Sequence, residues 1–212
     1  GNLGQNNDLK ASPEQPVTLY AKDFDNNGSI DPLISCFING KEHLVHPRDV
    51  VLSQISSFRN RFLNYESYAN ATMDETFTEN DLKDAYILKA TNFSSTYIEN
   101  MGDGKFKAVP LPLQAQFAPV YGIQSQDYDN DGFLDLLISG NHYSVEPSSG
   151  PFDASIGALF LGDGAGNFSY VNPSESGINT NGDAKGTATI LNNSQNIWTL
   201  IGHLMKTQEY LL

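Results

Sequence analysis

The stretch "DYDNDGFLDLLISGN", residues 127–141, places four aspartates around one glycine and then continues into an apolar run. A second stretch, "DFDNNGSIDPLIS" at residues 23–35, has the same spacing of acidic and amide residues around Gly28. Carboxylates this close together repel one another unless something compensates their charge. The repetition indicates that residues 23–31 (loop 1) and residues 127–135 (loop 2) are the same structural device used twice.

The spacing within each loop is typical of a cation site. Side chains at alternate positions of a tight loop point inward, and the glycine permits the sharp turn. The predicted ligands of loop 2 are the side chains of Asp127, Asp129, Asp131 and Asp135 and the main-chain carbonyl of Phe133. Those of loop 1 are the side chains of Asp23, Asp25, Asn27 and Asp31 and the main-chain carbonyl of Ser29. The sequence therefore predicts two Ca²⁺ sites, because calcium accepts roughly six to eight oxygen ligands at flexible angles.

Three alternatives to calcium sites of this kind are an EF-hand, a magnesium site and a turn without metal. An EF-hand closes with a glutamate at about position twelve and joins two helices, whereas each loop here ends in an aspartate that begins a β-type run. Magnesium gives up its water too reluctantly for so many carboxylates. An aspartate-rich turn without metal is costly in loop 2 and less so in loop 1, where Asn27 lowers the charge.

Short β-type runs punctuated by Gly, Asn and Asp dominate the rest of the chain. A weak repeat consists of a strand, an acidic loop, a strand and a hairpin, with Asp103 and Gly104 predicted at one hairpin tip. A third copy begins at Ala158, but its acidic loop, in "GDAKGTATIL", retains only Asp183. Repeats of antiparallel strands predict a mainly β fold made of propeller blades.

Residues 47–86 depart from the β pattern. Apolar residues recur there at helical spacing after Pro47, which suits a first helical turn, and they are Val50, Val51, Ile55, Phe58 and Phe62. Thr78 and Asp81 have the spacing of a capping box. The sequence predicts one domain over residues 1–212 with a helical insertion at about 47–86.

Composition excludes several classes of protein. The chain has 25 acidic and 12 basic residues, a formal charge of −13, which repels nucleic acid phosphates. Its single cysteine, Cys36, excludes an internal disulfide framework. No apolar run reaches membrane-spanning length.

The acidic loops and the hairpin "LFLGDGAGNFSYV" resemble FG-GAP/VCBS repeats, the blade units of integrin-α-like β-propellers. The segments "HPRDVVLSQISSFRNRF", "PLPLQAQFAPVYGI" and "FDASIGALFLGDG" resemble the closing region of large bacterial extracellular VCBS proteins that often carry an ASPIC/UnbV segment. The resemblance implies a partial propeller of about three blades, cut from a longer protein. The calcium positions of the family carry over to the ten residues named above and not to "GDAKGTATIL".

The resemblance also implies a function. We expect a non-catalytic, calcium-stabilised binding or scaffolding module of an exported bacterial protein, located at the cell surface, outside the cell or in the periplasm. Its ligand would be a protein or a glycan. The alternative is part of a polysaccharide-acting enzyme whose active residues lie partly outside this fragment. Because about three blades cannot complete a ring of roughly four to eight, we expect the chain to self-associate or to shield an open face with its insertion.

Overall fold

The computed structural model describes residues 1–145, 149–191 and 197–203. The chain is mainly β, as predicted, with antiparallel strands arranged in several sheets. It divides into two compact units. The first unit is Asp8–Phe93, and the second unit is Gly1–Asn7 together with the residues from Ser94 onward. Loop 1 lies in the first unit and loop 2 in the second.

The first unit is built on a four-stranded antiparallel sheet. Its strands are β1 Val17–Lys22, β2 Asp31–Ile38, β3 Lys41–Leu44 and β4 Tyr86–Ala90, in the order β3-β2-β1-β4. Asp31, Leu33 and Ser35 of β2 are buried, the period of two that a half-buried strand requires. Asn39 and Gly40, with φ values of 51° and 79°, form the tight turn into β3, because they tolerate the positive φ of such turns.

Helices occupy residues 48–82, within the range 47–86 for which the sequence predicted them, and we call residues 48–82 the helical segment. It consists of α1 Arg48–Gln54, a 3₁₀ turn Ser56–Asn60, α2 Tyr65–Asn70, α3 Met73–Thr76 and α4 Glu79–Leu82. The predicted capping box is confirmed, since Asp81 N donates to Thr78 Oγ1 (3.2 Å) and Thr78 N donates to Asp81 Oδ2 (2.8 Å).

The core of the first unit joins the helical segment to the sheet. Tyr20 and Leu33 of the sheet belong to one buried cluster with residues of the helical segment, namely Val51, Leu52, Ile55, Phe58, Phe62, Met73 and Phe77. Removing this much apolar surface from water is the main stabilising contribution available to short helices. The helical segment therefore depends on the sheet for its stability.

The second unit contains a four-stranded antiparallel meander. Its strands are β7 Gly122–Gln126, β8 Asp135–Ser139, β9 Ala158–Gly162 and β10 Phe168–Val171. They pair in chain order. Ile138, Ala158 and Phe160 form their buried cluster with Ala115 from a 3₁₀ turn at Leu113–Gln116.

Two further strand pairs and a short helix complete the second unit. They are the hairpin of β5 Thr96–Gly102 and β6 Lys105–Pro110, the pair of β11 Ala184–Leu191 and β12 Ile197–His203, and the helix α5 Pro173–Ser176. Asp103 and Gly104 form the β5–β6 turn at φ values of 51° and 72°, as predicted. Gln124 Nε2 of β7 donates to Thr187 O of β11 (3.1 Å).

The described ranges contain no closed barrel or propeller. They also contain no helix that is long and apolar enough to cross a membrane.

Candidate metal centres

Each acidic loop brings three carboxylates together where the first two strands of a sheet are joined. In loop 1, between β1 and β2, one oxygen from each of Asp23, Asp25 and Asp31 lies within 4.8 Å of the others. In loop 2, between β7 and β8, the same limit holds for Asp127, Asp129 and Asp135. Six of the predicted ligands are therefore gathered into two clusters that are capable of holding a metal ion.

The two loops share a backbone conformation. Asn26 and Asn130, at matching positions, have φ values of 58° and 63°, and Gly28 and Gly132 have values of 89° and 92°. A Cβ added to either glycine would meet nothing within 4 Å. The glycines are therefore required for their left-handed conformation and not for lack of space.

The first aspartate of each loop organises the turn through main-chain amides. Asp23 Oδ1 accepts from Asn27 N (3.0 Å) and Oδ2 from Gly28 N (2.8 Å). Asp127 accepts the same pair of hydrogen bonds: its Oδ1 accepts from Asp131 N (3.1 Å) and its Oδ2 accepts from Gly132 N (3.0 Å). Because this local hydrogen bonding is matched atom for atom, the sequence repeat corresponds to a structural repeat.

The last aspartate of each loop is buried at the first position of its strand. Asp31 is 4% exposed and Asp135 is 0% exposed. Asp31 Oδ2 accepts from Phe24 N (3.0 Å), and Asp135 Oδ2 accepts from Tyr128 N (2.7 Å). These bonds close each loop by tying its second residue to its last.

The fifth position of each loop forms a local turn. Asn27 Oδ1 accepts from Ser29 N (2.8 Å) and Asp131 Oδ1 accepts from Phe133 N (2.8 Å). Asp131 does not belong to the cluster of three carboxylates in loop 2. The roles predicted for the fifth-position side chains and for the carbonyls of Ser29 and Phe133 stay predictions.

Two carboxyl groups of the loops have raised pKa values, with desolvation as the largest cause and neighbouring acids as a further one. Burial raises the pKa of Asp31, with further contributions from the charges of Asp25 and Asp23. Desolvation likewise raises the pKa of Asp129, and the neighbouring acids Asp131, Asp135 and Asp127 raise it further, against the opposing hydrogen bond from the Asp131 amide. In both loops a carboxylate is therefore held where its negative charge is disfavoured, which is the condition that a bound cation relieves.

One oxygen atom provides a test of whether the residues fit a metal ion. Asp25 Oδ1 is buried and has no hydrogen-bond partner among the described residues. A buried carboxylate oxygen without a donor is costly, and a cation bound to it would remove that cost. The clusters offer carboxylate oxygens alone, the donor type of hard cations such as calcium and magnesium.

The acid of the third copy lies in a different setting. Asp183 directly precedes β11, and its Oδ1 is 2.7 Å from Lys185 Nζ. Lys185 Nζ also lies 3.2 Å from His142 Nδ1 and 4.0 Å from the centre of the Tyr121 ring. Asp183 therefore forms an ion pair with a lysine. The residues that join β11 to β12, 192–196, lie outside the described ranges.

A cavity of about 360 Å³ in the first unit contains acids that belong to neither loop. Glu42, Asp74 and Glu75 line it together with Lys41. The sequence analysis did not identify this cavity, because β3 and α3 bring its residues together from distant parts of the chain. The pKa of Asp74 is lowered chiefly by the Thr72 hydroxyl, and that of Glu75 chiefly by the Thr72 main-chain amide.

Comparisons of the chain with models of known protein families, with curated proteins and with solved structures gave no match. The structure by itself defines a mainly β protein with two equivalent acidic loops, each suited to a metal ion.

Proposed function

We propose that this chain is a calcium-stabilised, non-catalytic binding or scaffolding module of an exported bacterial protein. The observation that carries the proposal is the equivalence of the two loops: the same backbone conformation, the same amide hydrogen bonds and the same three aspartates occur in both. In a turn without a ligand the converging carboxylates only repel one another, whereas a calcium site requires several oxygen ligands around one point.

Calcium fits the loops better than magnesium does. Magnesium demands near-octahedral geometry and usually keeps several waters, so it binds through one or two carboxylates. Three carboxylates approach one point in each loop, and main-chain carbonyls of the tight turn can complete an irregular shell. Calcium tolerates such an irregular set of oxygens.

The strand arrangement supports FG-GAP/VCBS-type propeller blades. The meander β7–β10 has four antiparallel strands paired in chain order, which is the composition of a propeller blade. Loop 2 joins the first two strands of this meander, and loop 1 joins the equivalent strands β1 and β2. The two four-stranded sheets, each with an acidic loop between its first two strands, support the proposal of a partial propeller of about three blades.

An exported location agrees with the proposed ion. A protein that uses calcium for stability needs a compartment where the ion is plentiful, and extracellular calcium modules bind it at about 10⁻⁴–10⁻³ M. The net charge of −13 is consistent with a protein or glycan ligand and not with nucleic acid.

The acids in the cavity of the first unit do not have the pKa values that the enzyme alternative requires. A glycosidase needs a carboxylic acid that stays protonated near neutral pH, and so a raised pKa. In the cavity beside Glu42, the pKa values of Asp74 and Glu75 are lowered instead. Among the carboxyl groups of the described residues, the raised pKa values are those of Asp31 and Asp129, which are proposed cation ligands.

Calorimetric titration with calcium chloride tests the proposal. We expect two binding sites, one of which is lost in Asp25→Asn and the other in Asp129→Asn, with magnesium competing weakly. Asp103→Asn is the matched control, because it changes an aspartate in a tight turn outside both loops. A chain that binds no calcium, or variants that leave both sites intact, would overturn the assignment.

A glycan panel then distinguishes the two functional classes. Binding of a panel member without turnover supports the module, and hydrolysis of any member would favour the enzyme.

A further inference from the structure

Loop 1 is attached to the helical segment by one aromatic side chain. Phe24 lies between the cluster aspartates Asp23 and Asp25, and its main-chain N donates to the third, Asp31 Oδ2 (3.0 Å). Its ring is packed against the buried cluster that contains the helical segment. The Phe24 and Phe77 ring centres are 5.1 Å apart. Phe24 therefore connects the three carboxylates to the core directly.

The contact continues through a chain of aromatic rings. Phe77 lies 5.2 Å from Phe58, Phe58 lies 6.0 Å from Phe62, and Phe62 lies 5.1 Å from Tyr68. Aromatic ring pairs at these separations stabilise the packing beyond the effect of their buried area. This series of rings extends from Phe58 in the 3₁₀ turn to Tyr68 in α2, and it includes Phe77, the residue directly after α3. A displacement of Phe24 thus removes the outermost member of a packed series.

A second attachment lies directly before loop 1. Lys22 Nζ donates to Asp81 O (2.7 Å) and to Lys83 O (2.8 Å). These carbonyls are at the C-terminal end of α4, where main-chain oxygens lack partners within the helix and favour a positive charge. Lys22 and Phe24 thus both contact the helical segment, Lys22 through hydrogen bonds and Phe24 through its ring.

We propose that cation binding at loop 1 controls the docking of the helical segment on the sheet, with Phe24 as the positioning residue. This inference rests on the proposed calcium function. Without a cation, repulsion among Asp23, Asp25 and Asp31 favours an expanded loop, which withdraws Phe24 from Phe77. With a cation, the loop is fixed in the conformation that packs Phe24. The coupling is reciprocal, so docking of the segment also raises the affinity of loop 1 for the ion.

Hydrogen–deuterium exchange of residues 48–82, with calcium chloride or a chelator, tests the coupling. In the wild type and in Asp129→Asn, calcium should slow exchange of this segment roughly 5- to 150-fold, the usual range of coupling between two sites. In Asp25→Asn it should cause no slowing. Equal slowing in both variants would overturn the inference and leave the calcium sites intact, whereas calorimetry showing no calcium binding would overturn the proposed function itself.

Phe24→Leu separates the coupling from simple loss of the core. Leucine keeps an apolar side chain in place but lacks the ring contact with Phe77. By reciprocity, calcium affinity at loop 1 should fall by the factor of coupling that is lost, and affinity at loop 2 should not change. Tyr128→Leu, at the matching position of loop 2, should leave exchange of the helical segment as in the wild type. Unchanged loop 1 affinity in Phe24→Leu would contradict the role of Phe24.

Discussion

Gly162 N donates a hydrogen bond to Asp135 Oδ1 (3.0 Å), although 27 residues separate them in the chain. Asp135 also accepts from Tyr128 N within its own loop. One fully buried carboxylate therefore closes loop 2 and fastens the strand end of β9 to the start of β8. It has a structural role that the exposed aspartates of the same loop do not share.

This difference predicts that substitutions of two aspartates of one loop have different effects on stability in the absence of calcium. Asp135→Ala removes the acceptor of two amides, at about 1–3 kcal/mol for each group left unsatisfied, so it should lower the melting temperature even in a chelator. Asp129→Ala should leave stability in chelator unchanged or higher, since it removes a repelling charge whose pKa is raised. Thermal unfolding with and without calcium measures both. Equal losses for the two variants in chelator would show that Asp129 is also structural.

Calcium itself should stabilise the fold by mass action. A ligand that binds only the native state at about 100 times its Kd adds about 2.7 kcal/mol for each site. Chelation should therefore lower the melting temperature clearly in the wild type, and by less in Asp129→Ala. Asp103→Ala, in the β5–β6 turn, should change stability by the same amount with and without the ion. No shift on chelation in the wild type would argue for metal-free turns.

The geometry of the loops followed from the sequence because it is local. The spacing of aspartates and of Gly28 and Gly132 fixes which amides each first carboxylate can reach, and the structure has those bonds in both copies. The contact of Asp135 with Gly162 and that of Phe24 with Phe77 join distant parts of the chain. No spacing rule predicts such contacts, and the sequence interpretation assigned no role to Phe24.

The helical segment was predicted as a region and not as separate short helices. The apolar residues at helical spacing that supported the prediction end at Phe62. Beyond them, Asn64 caps α2 by accepting from Ser67 N (2.8 Å), and Thr72 and Thr78 precede α3 and α4. These are start signals for new helices. They explain why α2, α3 and α4 begin as separate helices, and of the three only Thr78 entered the prediction.

Glycine at the sixth loop position should be needed for conformation alone. Gly132→Ala places a Cβ in open space but at a φ of 92°, which costs roughly 1–2 kcal/mol for an L-residue in the left-handed region. Gly186→Ala is the matched control, since its Cβ also meets nothing within 4 Å and its φ is not positive. Denaturant unfolding should show a loss for Gly132→Ala only. Similar losses at both positions would mean that the positive φ of Gly132 is not the cause.

Acid should weaken the helical segment through its caps. The pKa of Asp81 is lowered, first by the Thr78 amide and then by its hydroxyl, and those of Asp74 and Glu75 are also lowered. A depressed pKa in the folded state gives stability that is present above the unfolded value of about 4 and is lost as pH falls through the folded value. The melting temperature in chelator, measured from the helical circular dichroism signal, should therefore fall as the pH is lowered through this range.

Asp81→Asn isolates this effect, because the raised pKa of Asp31 acts in the opposite direction. The variant should be less stable at neutral pH and should lose less stability on acidification. An acid profile identical to that of the wild type would exclude Asp81 as a contributor.

The outer strand β4 should mediate self-association of the chain. It lies at one edge of the sheet β3-β2-β1-β4, so alternate main-chain groups along its outer side lack a strand partner among the described residues. Tyr86, Ile87 and Leu88 are 65%, 43% and 49% exposed. Lys89 is the only charged residue of β4 and is exposed, so the part of this edge that can pair with another chain is the apolar stretch Tyr86–Leu88.

Light scattering over a micromolar concentration series measures this association. The wild type should show a mass that rises with concentration, and Leu88→Lys should reduce the rise, because a charge on an edge strand opposes pairing with another strand. Leu113→Lys is the control, since Leu113 is 65% exposed but lies in a 3₁₀ turn. A wild type that stays monomeric would mean that this edge does not pair. Equal effects of both lysines would mean that general surface hydrophobicity, and not the strand edge, drives association.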